Sequence, residues 1–311
     1  MSIWIALLLS ILGLFIGSFA NVVIYRLRYG GSIVKGRSHC PGCRHTLSPL
    51  DLIPVLSWVF LFGKCRYCKM NISFYYPLTE LLFGVIWFFV SYNSSLLFSF
   101  TDYIYFFFVL YVVSSLIIIS IYDLQNYEIP DKVIFPLIGI TILHLFLPEA
   151  PEIKDALIGA LVVYSFFYLQ MFIPNLYFSI KYKSKYILDL FTSYFIFPLW
   201  MLYSIFLPFL VYKISLFKET EEDESETVSW VGGGDLRMAI LIGLFLGGKA
   251  SVVALVAAYI AGALIGIFVL IFGEKKKRNE IPFAPFLSFG ILVAMFFGKF
   301  LWDYYWGFIN F

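Results

Sequence analysis

Asp123 and Asp235 are the two residues whose type and setting best suit them to chemistry. The first opens the segment Asp123-Leu124-Gln125-Asn126-Tyr127-Glu128-Ile129-Pro130-Asp131, and the second closes Gly232-Gly233-Gly234-Asp235. Each stands where a long apolar segment meets water, a position too costly for an ionisable group to be idle. Two carboxyl groups that share one proton across a water hold one member ionised and one protonated, because like charges at close range raise one apparent pKa. The ionised member takes a proton from the water and the protonated member donates to a carbonyl oxygen, which is peptide hydrolysis without a covalent intermediate. The glycines before Asp235 leave room for an extended peptide. Ile129-Pro130 ends or kinks the structure just past Asp123. The competing reading of each acid is a helix cap. Asp131 fits that reading, since it follows Pro130 and precedes an apolar run from Val133. Asp235 also stands at a helix start. Glu80 is expected in the first turn of a span that begins at Pro77, where the helix dipole favours an acid and the role is structural.

Four cysteines form a second constellation, Cys40-Pro41-Gly42-Cys43 and Cys65-Arg66-Tyr67-Cys68. Two CxxC pairs about 20 residues apart are a zinc signature and not a disulfide framework. Four thiolates complete a tetrahedron and leave no open position, so the metal is expected to be structural. Its binding supplies much of the folding free energy of a loop that has little core of its own. Thiolate sites of this kind persist in a reducing compartment, which places the loop in the cytoplasm. The alternative is four free thiols. His39 and His45 flank the first pair and are expected to be bystanders.

The elements that must position these groups are membrane spans. The chain has 311 residues, of which 61% are hydrophobic, 21% aromatic and only 14% charged. A soluble domain carries about 25% charged residues. The expected class is an all-α, polytopic helix bundle of about eight spans with a small cytoplasmic zinc-binding loop. The spans are Ile3–Ile24, Pro77–Val90, Tyr103–Tyr122, Val133–Leu147, Ala156–Phe178, Leu236–Gly247, Ser251–Phe272 and Pro285–Trp306. The first lacks a basic n-region and runs into Arg26, as expected of a retained span. Lys and Arg cluster between Arg26 and Lys69 and again at Lys275–Arg278, whereas none lies between Tyr92 and Asp102. The positive-inside rule puts the two basic loops in the cytoplasm and the N-terminus outside, and Asp123 then emerges on the cytoplasmic side. Small residues four apart at Gly13/Gly17, Gly243/Gly247 and Gly262/Gly266 allow close helix approach, with no partner named.

Leu188–Phe217 resists this count. It is apolar and aromatic, interrupted by Pro198 and Pro208 and preceded by Lys181, Lys183 and Lys185. A single crossing there delivers Asp235 to the outer face and splits the acids across the bilayer. The segment is therefore expected to lie in the interface or to dip in and return. The alternative is an ordinary span.

Taken together, these residues resemble the type IV prepilin leader peptidases, membrane aspartic proteases of the GxGD type. The resemblance rests on Gly17-Ser18-Phe19-Ala20-Asn21-Val22-Val23-Ile24-Tyr25-Arg26-Leu27, on Arg37-Ser38-His39-Cys40-Pro41-Gly42-Cys43 and on Asp51-Leu52-Ile53-Pro54-Val55-Leu56-Ser57-Trp58. It continues through Gly63-Lys64-Cys65-Arg66-Tyr67-Cys68, Ile72-Ser73, Tyr76-Pro77, Asp123 with Ile129-Pro130-Asp131, Gly232–Asp235 and Ile281-Pro282-Phe283-Ala284-Pro285-Phe286.

The resemblance implies that Asp123 and Asp235 are the catalytic pair. It implies that the substrates are prepilins or pseudopilins, cut after a glycine at the cytoplasmic face of the bacterial inner membrane. It further implies methylation of the new N-terminal amine with S-adenosylmethionine, an activity associated with the N-terminal region, for which no nucleotide-binding fingerprint is present. Nucleic acid is not an expected partner. The division that follows is a first span at 1–25, the cysteine loop at 26–76, and a peptidase core at 77–311 with an insertion at 180–229. The chain departs from the family pattern at Gly233, the variable position of GxGD, at Ala284, where glycine is commoner, and in the insertion. That insertion carries an acidic run from Glu219 to Glu226, either a solvated linker or an attractor of a cationic leader. Two other classes stay open on residues alone: an ion transporter that binds ions through the acids, and a zinc-organised assembly scaffold.

Overall fold

A computed structural model of the chain describes residues 2–33, 35–94, 99–181, 232–272 and 281–309. Leu188–Phe217, the acidic run and the basic cluster Lys275–Arg278 lie outside the described residues. Those residues form eight α-helices and no strand: α1 (Ile3–Tyr29), α2 (Leu56–Phe60), α3 (Tyr75–Asn93), α4 (Phe100–Asn126), α5 (Asp131–His144), α6 (Ile153–Lys181), α7 (Gly233–Phe272) and α8 (Ala284–Ile309), with a 3₁₀ turn at Pro49–Leu52. Five of them, α1, α4, α6, α7 and α8, are long and apolar enough to cross a membrane. The expectation of about eight spans divides at two helices. At 14 residues, α5 reaches only about 21 Å against a hydrocarbon core of about 30 Å. α3 falls outside the five because its first turns are polar and aromatic.

The helix ends follow from local chemistry. α1 stops at Gly30, whose φ of 81° suits glycine. At α4 the Ser99 and Asp102 side chains exchange hydrogen bonds with each other's backbone N–H, a capping box. The same helix ends on Tyr127 in the left-handed conformation, and Ile129-Pro130 then separates it from α5. α3 begins at Tyr75, two residues ahead of the expected Pro77, so Glu80 falls in its second turn. The helix-dipole account of Glu80 is thereby replaced by a tertiary contact described below.

The chain divides into two compact units, 1–133 with 146–149, and 134–145 with 150–311. In the first, α1 runs antiparallel to α3. Gly13 lies against Trp87 and Phe83, and Gly17 against Glu80 and Phe83. Asn21 donates to the Tyr76 carbonyl and Ser10 to that of Gly84. Trp87 reaches α4 through a buried hydrogen bond to Ser114 of 3.0 Å.

In the second unit, α7 is a bent element. Its 40 residues would reach about 60 Å as one straight helix, twice the hydrocarbon thickness. Gly247, at φ 74° and ψ 179°, breaks the helix. The contacts of α6 give the sense of the break. Gly243 lies against Gly159 and Ala160, and Gly247 against Pro151 and Asp155, so the first arm is antiparallel to α6. The second arm meets Asp155 at Gly248 and Gln170 at Tyr259, so it is parallel to α6. The chain therefore reverses at Gly247. The Asp155 carboxylate accepts the Gly248 N–H at 3.0 Å, and the Ser251 hydroxyl donates to the Gly247 carbonyl. α8 returns along the second arm, with Gly290 on Ala254 and Gly298 beside Ala250. Two of the three glycine pairs thus acquire partners, α3 for Gly13/Gly17 and α6 for Gly243/Gly247. Gly262 makes only ordinary contact with Phe283 and Phe286.

A Cβ at Gly243 would fall on the Ala160 backbone, which cannot yield as a flexible side chain can. Gly243→Val is expected to part α6 from α7 and to cost about 1–3 kcal/mol, lowering the melting midpoint in detergent by several degrees. Gly139→Ala, where a Cβ meets nothing within 4 Å, should leave the midpoint unchanged.

Candidate active site and metal centre

Asp235 is in the first turn of α7 and half-buried. Its Oδ2 accepts the Gly232 N–H at 3.1 Å, and its own N–H donates to the Gly232 carbonyl at 3.1 Å. The carboxylate therefore does cap its own helix, and that bond also fixes its rotamer. Across from it stand residues that the sequence reasoning passed over. The charge of Asp235 acts on the Tyr259 hydroxyl, and that hydroxyl donates to Gln170 Oε1 at 2.8 Å. The Tyr259 ring packs edge-on against Phe283 and Phe166. Gln170 is an amide inside an apolar span, which was a readable signal. Tyr259 gave none, because one tyrosine among 22 in aromatic sequence stands out only by its neighbours in space.

Two features of register bear on this end of the second unit. Since the first arm of α7 is antiparallel to α6, the end of α6 and the start of α7 share one end of the unit. Arg237 lies over the Phe135 ring at 5.2 Å, and His144 faces Phe245. These pairs run in the same chain direction, so α5 and the first arm are parallel and start at that same end.

Asp123 belongs to the first unit. It sits in the last turn of α4 and is buried, and its carbonyl accepts the Tyr127 N–H at 2.8 Å. The left-handed cap at Tyr127 and the turn through Pro130 redirect the chain immediately after it, as Ile129-Pro130 led one to expect. Asp131 is the first residue of α5.

The cysteines converge. The Sγ atoms of Cys40, Cys43, Cys65 and Cys68 all lie within 4.8 Å of one another, and those of Cys40 and Cys68 are 3.8 Å apart. Four sulfurs each about 2.3 Å from one tetrahedral ion stand roughly 3.8 Å from one another, so the donor set fits such a metal. The two halves repeat one local structure. Cys40 N–H donates to the His45 carbonyl and Arg44 N–H to that of Cys40; Cys65 N–H donates to the Met70 carbonyl and Lys69 N–H to that of Cys65. Arg44 and Lys69 are both left-handed. Isolated bridges His39–Thr46 and Lys64–Asn71 close the two turns. His39 and His45 stand outside the cluster, with the His45 ring tilted against Tyr67 at 3.7 Å between centroids.

Burial works against the Cys40 thiolate, but the N–H groups of Cys43 and Gly42 and the neighbouring thiols outweigh it and lower its pKa to about 7. At Cys68 the Met70 N–H favours the thiolate, yet burial and the other three sulfurs raise its pKa to about 11. Four sulfurs this close cannot all ionise without a cation among them. Asp51 ties the halves together. It caps the 3₁₀ turn through Ser48, pairs with Arg66 at 2.6 Å and accepts from the Tyr67 hydroxyl. Burial opposes its charge, but Arg66 and Ser48 prevail and hold its pKa at about 2. Its folded pKa is depressed, so this contribution is present above about pH 4 and lost as pH falls toward 2. The exposure of Arg66 keeps the pair's worth small.

The chain matches the Bacterial Peptidase A24 N-terminal domain over residues 11–94 and the Type IV leader peptidase family over residues 110–183. A Vibrio cholerae protein named prepilin leader peptidase/N-methyltransferase is 31% identical over 179 residues, 55% of this chain and 68% of that protein. The chain belongs to the type IV leader peptidase family. A Bacillus subtilis member of the same name is 26% identical over 298 residues, 96% of each chain, and a Myxococcus xanthus one is 37% identical over 157 residues, 50% of this chain and 45% of that protein. No solved structure matches. The leader peptidase match includes Asp123 and ends before Asp235.

Metal analysis of the purified chain should find one zinc per molecule, and Cys43→Ser or Cys68→Ser should abolish it. Asp51→Asn keeps the Ser48 contact but loses the Arg66 pair. It should release zinc to a chelator several-fold faster and expose the loop to trypsin at Arg44 and Lys64.

Proposed function

We propose that the chain is a bifunctional inner-membrane enzyme. It removes the basic leader of type IV prepilins or pseudopilins after a glycine at the cytoplasmic face, and it N-methylates the new terminus. Asp123 and Asp235 form the hydrolytic pair and hold the attacking water between them. Gly232 keeps the Asp235 carboxylate aimed, while Gly233 and Gly234 admit the extended substrate backbone. The observation that carries the pair is the shared end of α6 and α7. The end of α6 and the start of α7 thus fall at one end of the second unit, as a single-faced active site requires. α5 starts at that end too, and Asp123 sits in the last turn of the helix before it.

Zinc held by Cys40, Cys43, Cys65 and Cys68 joins the two halves of the loop at 26–76 and leaves no ligand position for substrate. S-adenosylmethionine supplies the methyl group of the second reaction. Counting α3, α5 and both arms of α7 as crossings gives the eight-span topology, with 77–311 as the peptidase core. Nothing in the structure favours the transporter or scaffold readings.

Incubation with a prepilin in detergent, followed by mass spectrometry of the product N-terminus, tests both activities. Asp123→Asn and Asp235→Asn should each lower cleavage by about 10²–10⁴-fold, the range of acid–base catalysis, with the protein still in the membrane. Cys→Ser variants should lose methylation more than cleavage. Substantial cleavage by either Asn variant contradicts the pair.

A further inference from the structure

A cavity of about 380 Å³ lies within the first unit, between the end of α1, the cysteine loop and the start of α3. Its volume is within the range of about 300–1,000 Å³ usual for small-molecule sites. Its walls are aromatic and apolar, with Tyr25, Trp58 and Tyr76 prominent, and the two buried cysteines, Cys40 and Cys65, form part of them. Glu80 also lines it. This carboxylate is only 8% exposed, its Oε2 accepts the Val55 N–H at 2.7 Å, and Ser18 donates to it as well.

Val55 explains how firmly Glu80 is held. Its φ of 62° and ψ of −52° are exceptional for a β-branched residue. The Leu56 N–H folds back onto the Pro54 carbonyl at 2.6 Å, which makes a strained γ-turn. Glu80 accepts the N–H at the centre of that turn, so the carboxylate is fixed with acceptor capacity to spare, since about four lone-pair sites serve two donors.

The charges around the cavity are unequally satisfied. Arg66 is paired with Asp51, and Arg26 gives its donors to the carbonyls of Ser32, Ile33, Lys35 and Gly36. Among the described residues, no cationic side chain forms an ion pair with Glu80. A buried carboxylate without a counter-ion is expensive, and a bound cation removes that cost. The site therefore suits a ligand with a positive centre and a flat body that stacks on aromatic rings.

Resting on the methyltransferase reading above, we propose that this cavity seats the sulfonium methyl donor, with Glu80 as the positioning residue that faces its positive charge. The zinc cluster then serves methylation at a distance, because losing the metal unties two walls of the donor site. On this arrangement, loss of the metal is expected to harm methylation more than hydrolysis.

The test uses the full-length protein in detergent. Ultraviolet cross-linking with radiolabelled S-adenosylmethionine, followed by peptide mapping, should label peptides that contain Tyr25, Trp58 or Tyr76, and S-adenosylhomocysteine should compete. In equilibrium dialysis, Glu80→Gln keeps an acceptor for the Val55 N–H but loses the charge, with zinc content reporting the folded loop. It should weaken S-adenosylmethionine about tenfold and the uncharged thioether S-adenosylhomocysteine less than twofold. Label mapping outside the cavity, or equal loss of both ligands, overturns the proposal while leaving the methyltransferase reading intact. A wild-type chain that binds no donor overturns both.

Discussion

Close approach of α6 and α7 at glycine is the constraint on which the second unit depends. Gly159, Gly243 and Gly247 bring two backbones together where any side chain would hold them apart, and Gly247 adds a conformation that lets the chain reverse. In lipid, where apolar side chains gain little from leaving the solvent, this packing of backbone on backbone is a main source of association. The reversal lays both arms of α7 along α6. One arm begins with Asp235, and the other carries Tyr259, whose hydroxyl donates to Gln170 of α6. The position of an acid near one end of the helix is thus fixed by an absence of side chains some 12 residues, or about 18 Å, farther along.

The first unit uses the same device with a different result. Gly13 and Gly17 admit Trp87, Phe83 and Glu80 to the face of α1, which carries Glu80 to the edge of the cysteine loop. There it holds the strained turn at Val55. The loop cannot rely on core burial, since many of its residues are exposed. The four converging cysteines, the Asp51 link and the Glu80 contact take the place of a core, and an ion held among the thiolates would add to them.

What was legible in the residues was what depends on local pattern. Apolar length announced the helices, CxxC spacing announced a cluster whose halves share one hydrogen-bond scheme, and Ile129-Pro130 marked the end of α4. Less legible were features that depend on partners distant in sequence. Glu80 read as a helix-dipole acid because the Val55 N–H that it serves lies 25 residues away. Gly247 read as one half of a small-residue pair, when its main act is to reverse a helix. Tyr259 carried no mark at all. Span number was less legible for a physical reason: apolar composition does not distinguish a 14-residue helix such as α5 from a longer one.

The proposed hydrolysis requires Asp123 and Asp235 to face one water. The most direct measurement replaces both by cysteine, with the zinc cysteines left metal-bound, and treats the membrane-embedded protein with the shortest bifunctional thiol reagent. Mass spectrometry then maps the linked peptides. The account predicts a linkage between positions 123 and 235, formed faster when a prepilin-derived peptide is present. Two thiols that each react singly and never with one another, with or without peptide, would contradict it.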